Sequence, residues 1–202
     1  MNTIIHPTYF PNIHIFKNMV NSKNLFFEIN DNYIKQTFRN RTSIYTANGK
    51  LDMTIPVKFS SSKREKLKDI KICNNSNWQN IHIKSIQTAY NNSPYFDFFE
   101  EYFINFFKKK YKFLIDVNIN SIKIIFEILE KELDYNFTEE YIREYIDSID
   151  LRNLSNKPKL KTKVDFKKYN QVFDEDHGFI KNLSSIDLIF NKGLNSIDFI
   201  NN

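Results

Sequence analysis

Strand, loop, helix and strand follow one another at the start of this chain, and that order constrains the fold more than any other feature. Ile4-Ile5-His6 opens a short strand, and Pro7-Thr8-Tyr9-Phe10-Pro11 ends it. Two prolines fix their own φ and push the preceding residues into extended backbone, so the loop is rigid. Asn12 is placed to cap a helix with Ile13, Phe16 and Val20 on one face. Leu25-Phe26-Phe27-Glu28-Ile29 then reads as a buried strand. A βαβ unit requires at least a partly parallel sheet. Open α/β sheets hold ligands beyond the carboxyl ends of their strands. His6, Tyr9 and Phe10 therefore become site candidates, while His6 reads equally as a residue that only hydrogen-bonds within its loop.

A second signal is Asn48-Gly49, which predicts a type I′ hairpin turn. The predicted register pairs Thr46 with Leu51, Ile44 with Met53 and Thr42 with Ile55. These residues form one face. Tyr45, Asp52, Ser43, Thr54 and Arg41 form the other, so apolar and polar sets separate. Carried backward at period two, the polar face takes in Arg39, Thr37, Lys35 and Tyr33. Lys35, Arg39 and Arg41 would then line up over about 20 Å. Guanidinium forks match phosphate or carboxylate in pairs, so the stretch reads as an anion-binding wall. The bland alternative is a solvated cationic strand face.

The remaining chain predicts helices near 12–21, 78–91, 95–111 and 120–133, the last capped by Asn118 or Asn120. Phe96, Phe99, Phe103 and Phe106 make a buried stripe, and Lys108 to Lys112 complement the negative end of that helix. Residues 60–68 are polar and read as a mobile loop. Tyr141, Ile142, Tyr145, Ile146 and Ile149 fit a helix. Ser184 and Asp187 form an acidic capping box, and Gly193 is an αL stop. That structural use of Ser184 and Asp187, without a nucleophile elbow, argues against a triad with His177. His82 reads as a core histidine, and Cys73 as a buried thiol at a strand end.

Composition bounds the function. A chain of 202 residues predicts one domain, 1–202, and 20 Phe with 11 Tyr predict an aromatic core. Three glycines leave no Walker A or dinucleotide fingerprint. The four histidines, at 6, 14, 82 and 177, lack metal spacing, so no metal site is expected. A net charge of +5 suits an anionic ligand, but no basic stripe with interleaved aromatics suggests nucleic acid. One cysteine excludes an intramolecular disulfide and fits a reducing cytoplasm. No signal peptide and no apolar run of about 20 residues is present, so the expected location is cytoplasmic. The fold class that follows is α/β, a single domain with a mixed β-sheet, a βαβ start, a β-hairpin and several flanking helices.

Several stretches together resemble the WbqC-like protein family. They are His6-Pro7-Thr8-Tyr9-Phe10-Pro11, residues 33–42, Gly49 with Pro56-Val57, Tyr90 with Ser93-Pro94-Tyr95-Phe96, Tyr169-Asn170-Gln171-Val172-Phe173, and residues 178–193. Where the family's opening often carries Gln, this chain carries His6. The resemblance implies a role in bacterial surface-polysaccharide (O-antigen) biosynthesis, with transfer of glycine or another aminoacyl group to a nucleotide-linked amino sugar. On that reading His6 or His177 is the general base. Lys35, Arg39 and Arg41 hold pyrophosphate or carboxylate, with Tyr9, Tyr33, Gln36, Asn40 and Gln171 as further substrate contacts. The loop 6–11, the wall 35–41 and the segment 171–177 should then meet at one pocket. The activated donor is a carrier thioester, an aminoacyl-tRNA or an acyl-adenylate. Beyond such a tRNA no nucleic-acid partner is expected, and no cofactor. The alternative is a non-catalytic nucleotide-sugar-binding or scaffolding protein of the same pathway.

Overall fold

The structure is a computed structural model that describes residues 1–59, 64–156 and 166–201. In chain order the elements are β1 (Asn2–Ile5), α1 (Ile13–Val20), β2 (Asn24–Phe27), β3 (Arg41–Thr46), β4 (Gly49–Thr54), β5 (Val57–Lys58) and β6 (Lys71–Ile72). They continue as α2 (Trp78–Tyr90), α3 (Phe96–Lys108), α4 (Leu114–Ile128), β7 (Tyr135–Phe137) and β8 (Ser148–Asp150). The chain closes with α5 (Asp174–His177), α6 (Ser185–Lys192) and α7 (Ser196–Asn201).

The βαβ start is present, with β1 parallel to β2 and Ile4 opposite Phe26. β8 joins the other side of β1 and β7 the outer edge of β2, both in parallel. The order β7-β2-β1-β8 is thus all-parallel, and the antiparallel pairs β3-β4 and β5-β6 form separate ribbons. The architecture is the mixed α/β, single-domain one expected. Asn12 caps α1 by accepting from the Ile15 amide at 2.9 Å.

The proline-bracketed loop after β1 is bolted from several sides. The Tyr9 amide donates to Phe38 O (3.2 Å) and the Phe10 amide to Ser121 Oγ (3.0 Å). Phe10 O accepts from Thr42 Oγ1 (2.8 Å) and Ser184 Oγ (3.1 Å). These bonds hold Phe10 at a φ of 39°, which a non-glycine residue rarely adopts. Its ring packs between Phe103, Phe106 and Phe107, so the loop is a core element.

Several expectations are corrected. Residues 33–40 are not a strand, because β3 starts at Arg41. Thr37 Oγ1 donates to Ile34 O, the Asn40 side chain donates to Ile55 O, and Gln36 sits at a φ of 62°. Such local bonds compete with a strand ladder. In the hairpin, Ile44 lies opposite Leu51 and Thr42 opposite Met53, a slip of two residues from the predicted register. Only Gly49 of the Asn48-Gly49 pair has positive φ, so the turn is not the mirror-image type that needs both. A slip of two leaves every side chain on its predicted face.

α4 begins at Leu114, so Asn118 lies inside the helix, where it donates to Pro7 O and Arg39 O. The Leu114 amide, which has no acceptor within the helix, donates to Ile70 O just ahead of β6. Residues 141–147 are irregular and 148–150 a strand. The Arg152 guanidinium binds Ile142 O and Arg143 O, carbonyls that a helix would have used itself. Ser184 does cap α6, but Asp187 turns away from the cap into the core. Gly193 ends α6 with φ 57° and ψ −139°, outside αL, and the Tyr95 ring occupies the space a Cβ would need.

Cys73 is half-buried rather than buried. Of the loop expected to be mobile, residues 60–63 lie outside the described residues, as do 157–165 and 202. Leu67 is buried and its amide donates to Asp31 O, which pins that end of the loop. His82 is the core histidine expected, accepting or donating at 2.9 Å to Tyr9 OH.

Candidate functional site

The carboxyl ends of β1, β2 and β8 open onto a cleft of about 350 Å³, lined by His6, Asp31, Ile34, Arg39, Asp150, Arg152, Asn153 and Asn156. The chain passes from β1 to β2 on one side, and β8 is added on the other. Strand order therefore reverses at β1, and the cleft sits at the topological switch point, where open α/β sheets bind ligands.

His6, the first residue after β1, is 1% exposed. Its Nε2 lies 3.0 Å from Asp31 Oδ2. Nδ1 lies 3.1 Å from both Arg152 O and Ser155 Oγ, and Arg39 Nη2 is 3.2 Å from each ring nitrogen. Burial lowers the His6 pKa to about 4; the Asp31 hydrogen bond opposes this and the Arg39 charge reinforces it. At neutral pH the ring is uncharged. Asp31 needs a donor, so we assign the proton to Nε2; Nδ1 is then an acceptor, with the Ser155 hydroxyl at 3.1 Å as its donor.

Asp31 is the partner that reaches the cleft, with its side chain 21% exposed. Burial alone would raise its pKa, but the His6 hydrogen bond, the Asn32 amide and the Arg39 charge outweigh it and the net shift is downward. His6 carries charge only below about pH 4, so at neutral pH it acts on Asp31 as a hydrogen-bond donor. Arg39 donates from Nη1 to Asn156 Oδ1 (3.0 Å) and stands 3.8 Å from Asp31. Burial lowers its pKa to about 10, which leaves it cationic. Among the described residues its Nε has no partner.

Arg152 walls the other side. It grips Asp150 through Nε (2.9 Å) and Nη2 (2.6 Å) and lies 3.7 Å from the fully buried Glu28. Tyr141 and Tyr145 face its guanidinium at 5.2 and 5.0 Å. With so many contacts Arg152 is committed to shaping the wall. Asp31, Asn153 and Asn156 are left to meet a ligand, with Arg39, 1% exposed, behind them.

The structure thus brings His6 and Arg39 together and disperses the other candidates. Tyr9 is buried against His82, and Tyr33 is buried with its hydroxyl unpaired. Lys35 and Gln36 are exposed, and Asn40 is buried on Ile55 O. Arg41 is half-buried with Nε unpaired. No cationic wall forms. Gln171 is buried and bonded to Asp187 and Ile180 O. His177 is exposed at the hairpin turn, where Nε2 meets Ala47 O at 2.7 Å. The segment 171–177 therefore does not join the His6 cleft. Sequence reasoning missed Asp31, Asp150, Arg152, Asn153 and Asn156. Asp31 stands just beyond the β2 run, where the rule used for His6 would have found it.

A parallel sheet with a polar, charge-paired cleft at its switch point defines an α/β ligand-binding fold. Residues 6–159 match the sequence profile of the WbqC-like protein family, and the chain belongs to that family. The match spans the whole cleft, from His6 to Asn156, and stops short of the resemblance read at 169–193. No curated protein and no solved structure matches the chain. Among the described residues no helix is long and apolar enough to cross a membrane.

Proposed function

We propose that this chain transfers an aminoacyl group, such as glycyl, to the amine of a nucleotide-linked amino sugar during bacterial surface-polysaccharide assembly in the cytoplasm. The observation that carries this reading is the cleft-facing Asp31 carboxylate paired with an uncharged His6. The sugar's amine, in its neutral form, would hydrogen-bond to Asp31. As the amine nitrogen attacks the acyl carbon, the new C–N bond forms and the bond to the donor's leaving group breaks. The amine proton passes to the Asp31–His6 pair. Arg39 and Asn156 would orient a carbonyl or carboxylate oxygen. This scheme gives His177 no role and uses no resident cofactor.

One observation favours a second reading, a non-catalytic nucleotide-sugar-binding protein of the same pathway: His6 is almost wholly buried and both its nitrogens are engaged. Mass spectrometry of the polysaccharide separates the two. Strains with the gene, without it, and with Asp31→Asn are compared. Acyl transfer predicts a loss of one acyl mass in the deletion and the same loss in Asp31→Asn. An unchanged polysaccharide in both sinks the transferase.

A further inference from the structure

A second cavity lies apart from the His6 cleft and shares no residue with it. It encloses about 570 Å³ between α1, the segment 166–182 and α7. That volume is in the range of small-molecule sites, roughly 300–1,000 Å³. Its walls are aromatic: Tyr169 meets Phe179 and Phe199 edge-on, each at 5.4 Å, and Phe166 meets His14 at 6.2 Å. Its rim is cationic. Lys17 and Lys167 line it, Lys167 Nζ sits 5.3 Å over the Phe199 ring, and no carboxylate is among the lining residues.

The polar lining has unused valences. Asn18 spends its amide N–H on His14 O, and Asn182 spends its carbonyl on the His14 amide. Asn18 Oδ1 and Asn182 Nδ2 keep no partner among the described residues, so both acceptor and donor capacity remain. Burial, with Lys17 adding to it, lowers the His14 pKa, so at neutral pH His14 supplies no charge. Ring faces for stacking, an amide donor and acceptor, and two ammonium groups at the mouth are the complement of a flat heterocycle carrying phosphate.

We propose that this cavity binds a nucleoside phosphate, with the base between the aromatic side chains and the phosphate on Lys17 and Lys167. The site stands independently of what the His6 cleft does. Two sources share this chemistry: the nucleotide of a nucleotide-linked sugar, and an adenylate. Calorimetric titration of the full chain with UMP, AMP, uridine and inorganic phosphate tests it. UMP or AMP should bind, and the one preferred identifies the source. Uridine and phosphate alone should bind at least about tenfold more weakly, because each lacks one half of the recognition. Lys17→Glu with Lys167→Glu, both exposed positions, should weaken nucleotide affinity by about tenfold or more at unchanged Tm. Phe199→Leu should also weaken it while keeping the wall apolar. No binding of either nucleotide, or equal affinity in the lysine variant, overturns the site.

Discussion

Asp187 and Asp31 are both carboxylates ringed by hydrogen-bond donors, but the donors differ in kind. Asp187 is fully buried and accepts from Tyr90 OH, Tyr169 OH and Gln171 Nε2, all neutral groups. Burial pushes its pKa up to about 6, and the three donors only partly offset that. Asp31 keeps an open edge and has a guanidinium and an imidazole beside it, and its pKa goes down. The sealed carboxylate ties four distant segments together, since Tyr90 OH also takes the Tyr45 amide and Gln171 holds Ile180 at both amide ends. It serves the fold. The open carboxylate is kept ionised where a ligand can reach it. A buried charge without a cation is a structural knot, and a paired one at a cleft is available for chemistry.

The largest effect should come from opening the knot. Asp187→Ala strands two buried phenol donors and an amide, and should cost about 3–5 kcal/mol in denaturant unfolding. Asp187→Asn should cost less and change the pH profile. The folded pKa, about 6, lies above the ordinary carboxylate value of 3.8. Asp187 therefore contributes stability that is fully present below about pH 4 and lost as pH rises through 6. A shift of that size corresponds to roughly 3 kcal/mol. His6 and His82 have the opposite sign: each is lowered from 6.5 to about 4, so their contribution is present above 6.5 and lost as pH falls toward 4. The wild-type curve mixes both trends. The wild-type minus Asp187→Asn difference isolates the carboxylate and should fall between pH 4 and 7. A flat difference would mean that the knot holds its charge without penalty.

Arg39→Ala should come next, at about 2–4 kcal/mol, because it removes one member of a buried pair. Asp31 can turn its open edge to water, which keeps the loss below that at Asp187. The same change removes the Arg39 charge from His6, so the imidazole pKa should rise while burial still holds it under 6.5. Histidine NMR titration reads this directly. A His6 pKa that stays put would separate Arg39 from the His6–Asp31 pair and leave the cleft with a different electrostatic origin.

The contrast also shows what a single sequence carries. The βαβ start was legible because the prolines and the apolar periods are local signals. Both faces of the hairpin were legible because period two survives a slip of two residues. Arg39 was singled out for the wrong reason. From its neighbours it reads as one cation on a strand face, whereas its partners His6, Asp31 and Asn156 come from three other segments. Gln171 read as a substrate contact and belongs to the knot, because Asp187 looked fully used as a cap. Asp150 and Arg152 are two apart and hydrogen-bond each other, a pairing that no periodic pattern marks. Long-range charge pairing has no local period to betray it.

The smallest effects sharpen the part of the hairpin that periodicity left undetermined, its turn. A mirror-image turn would need positive φ at both Asn48 and Gly49. The structure places it at Gly49 alone, at 87°, with open space where a Cβ would stand. Gly49→Ala should then cost about 1 kcal/mol, all of it backbone strain. Asn48→Ala should stay within about ±0.5 kcal/mol, since Asn48 is exposed and its backbone is ordinary. A matching loss at both positions, read as equal Tm shifts, would restore the mirror-image turn and, with it, the pairing of Ile44 with Met53. Neither change should touch the His6 titration or the polysaccharide mass, because the hairpin tip meets His177 and not the cleft.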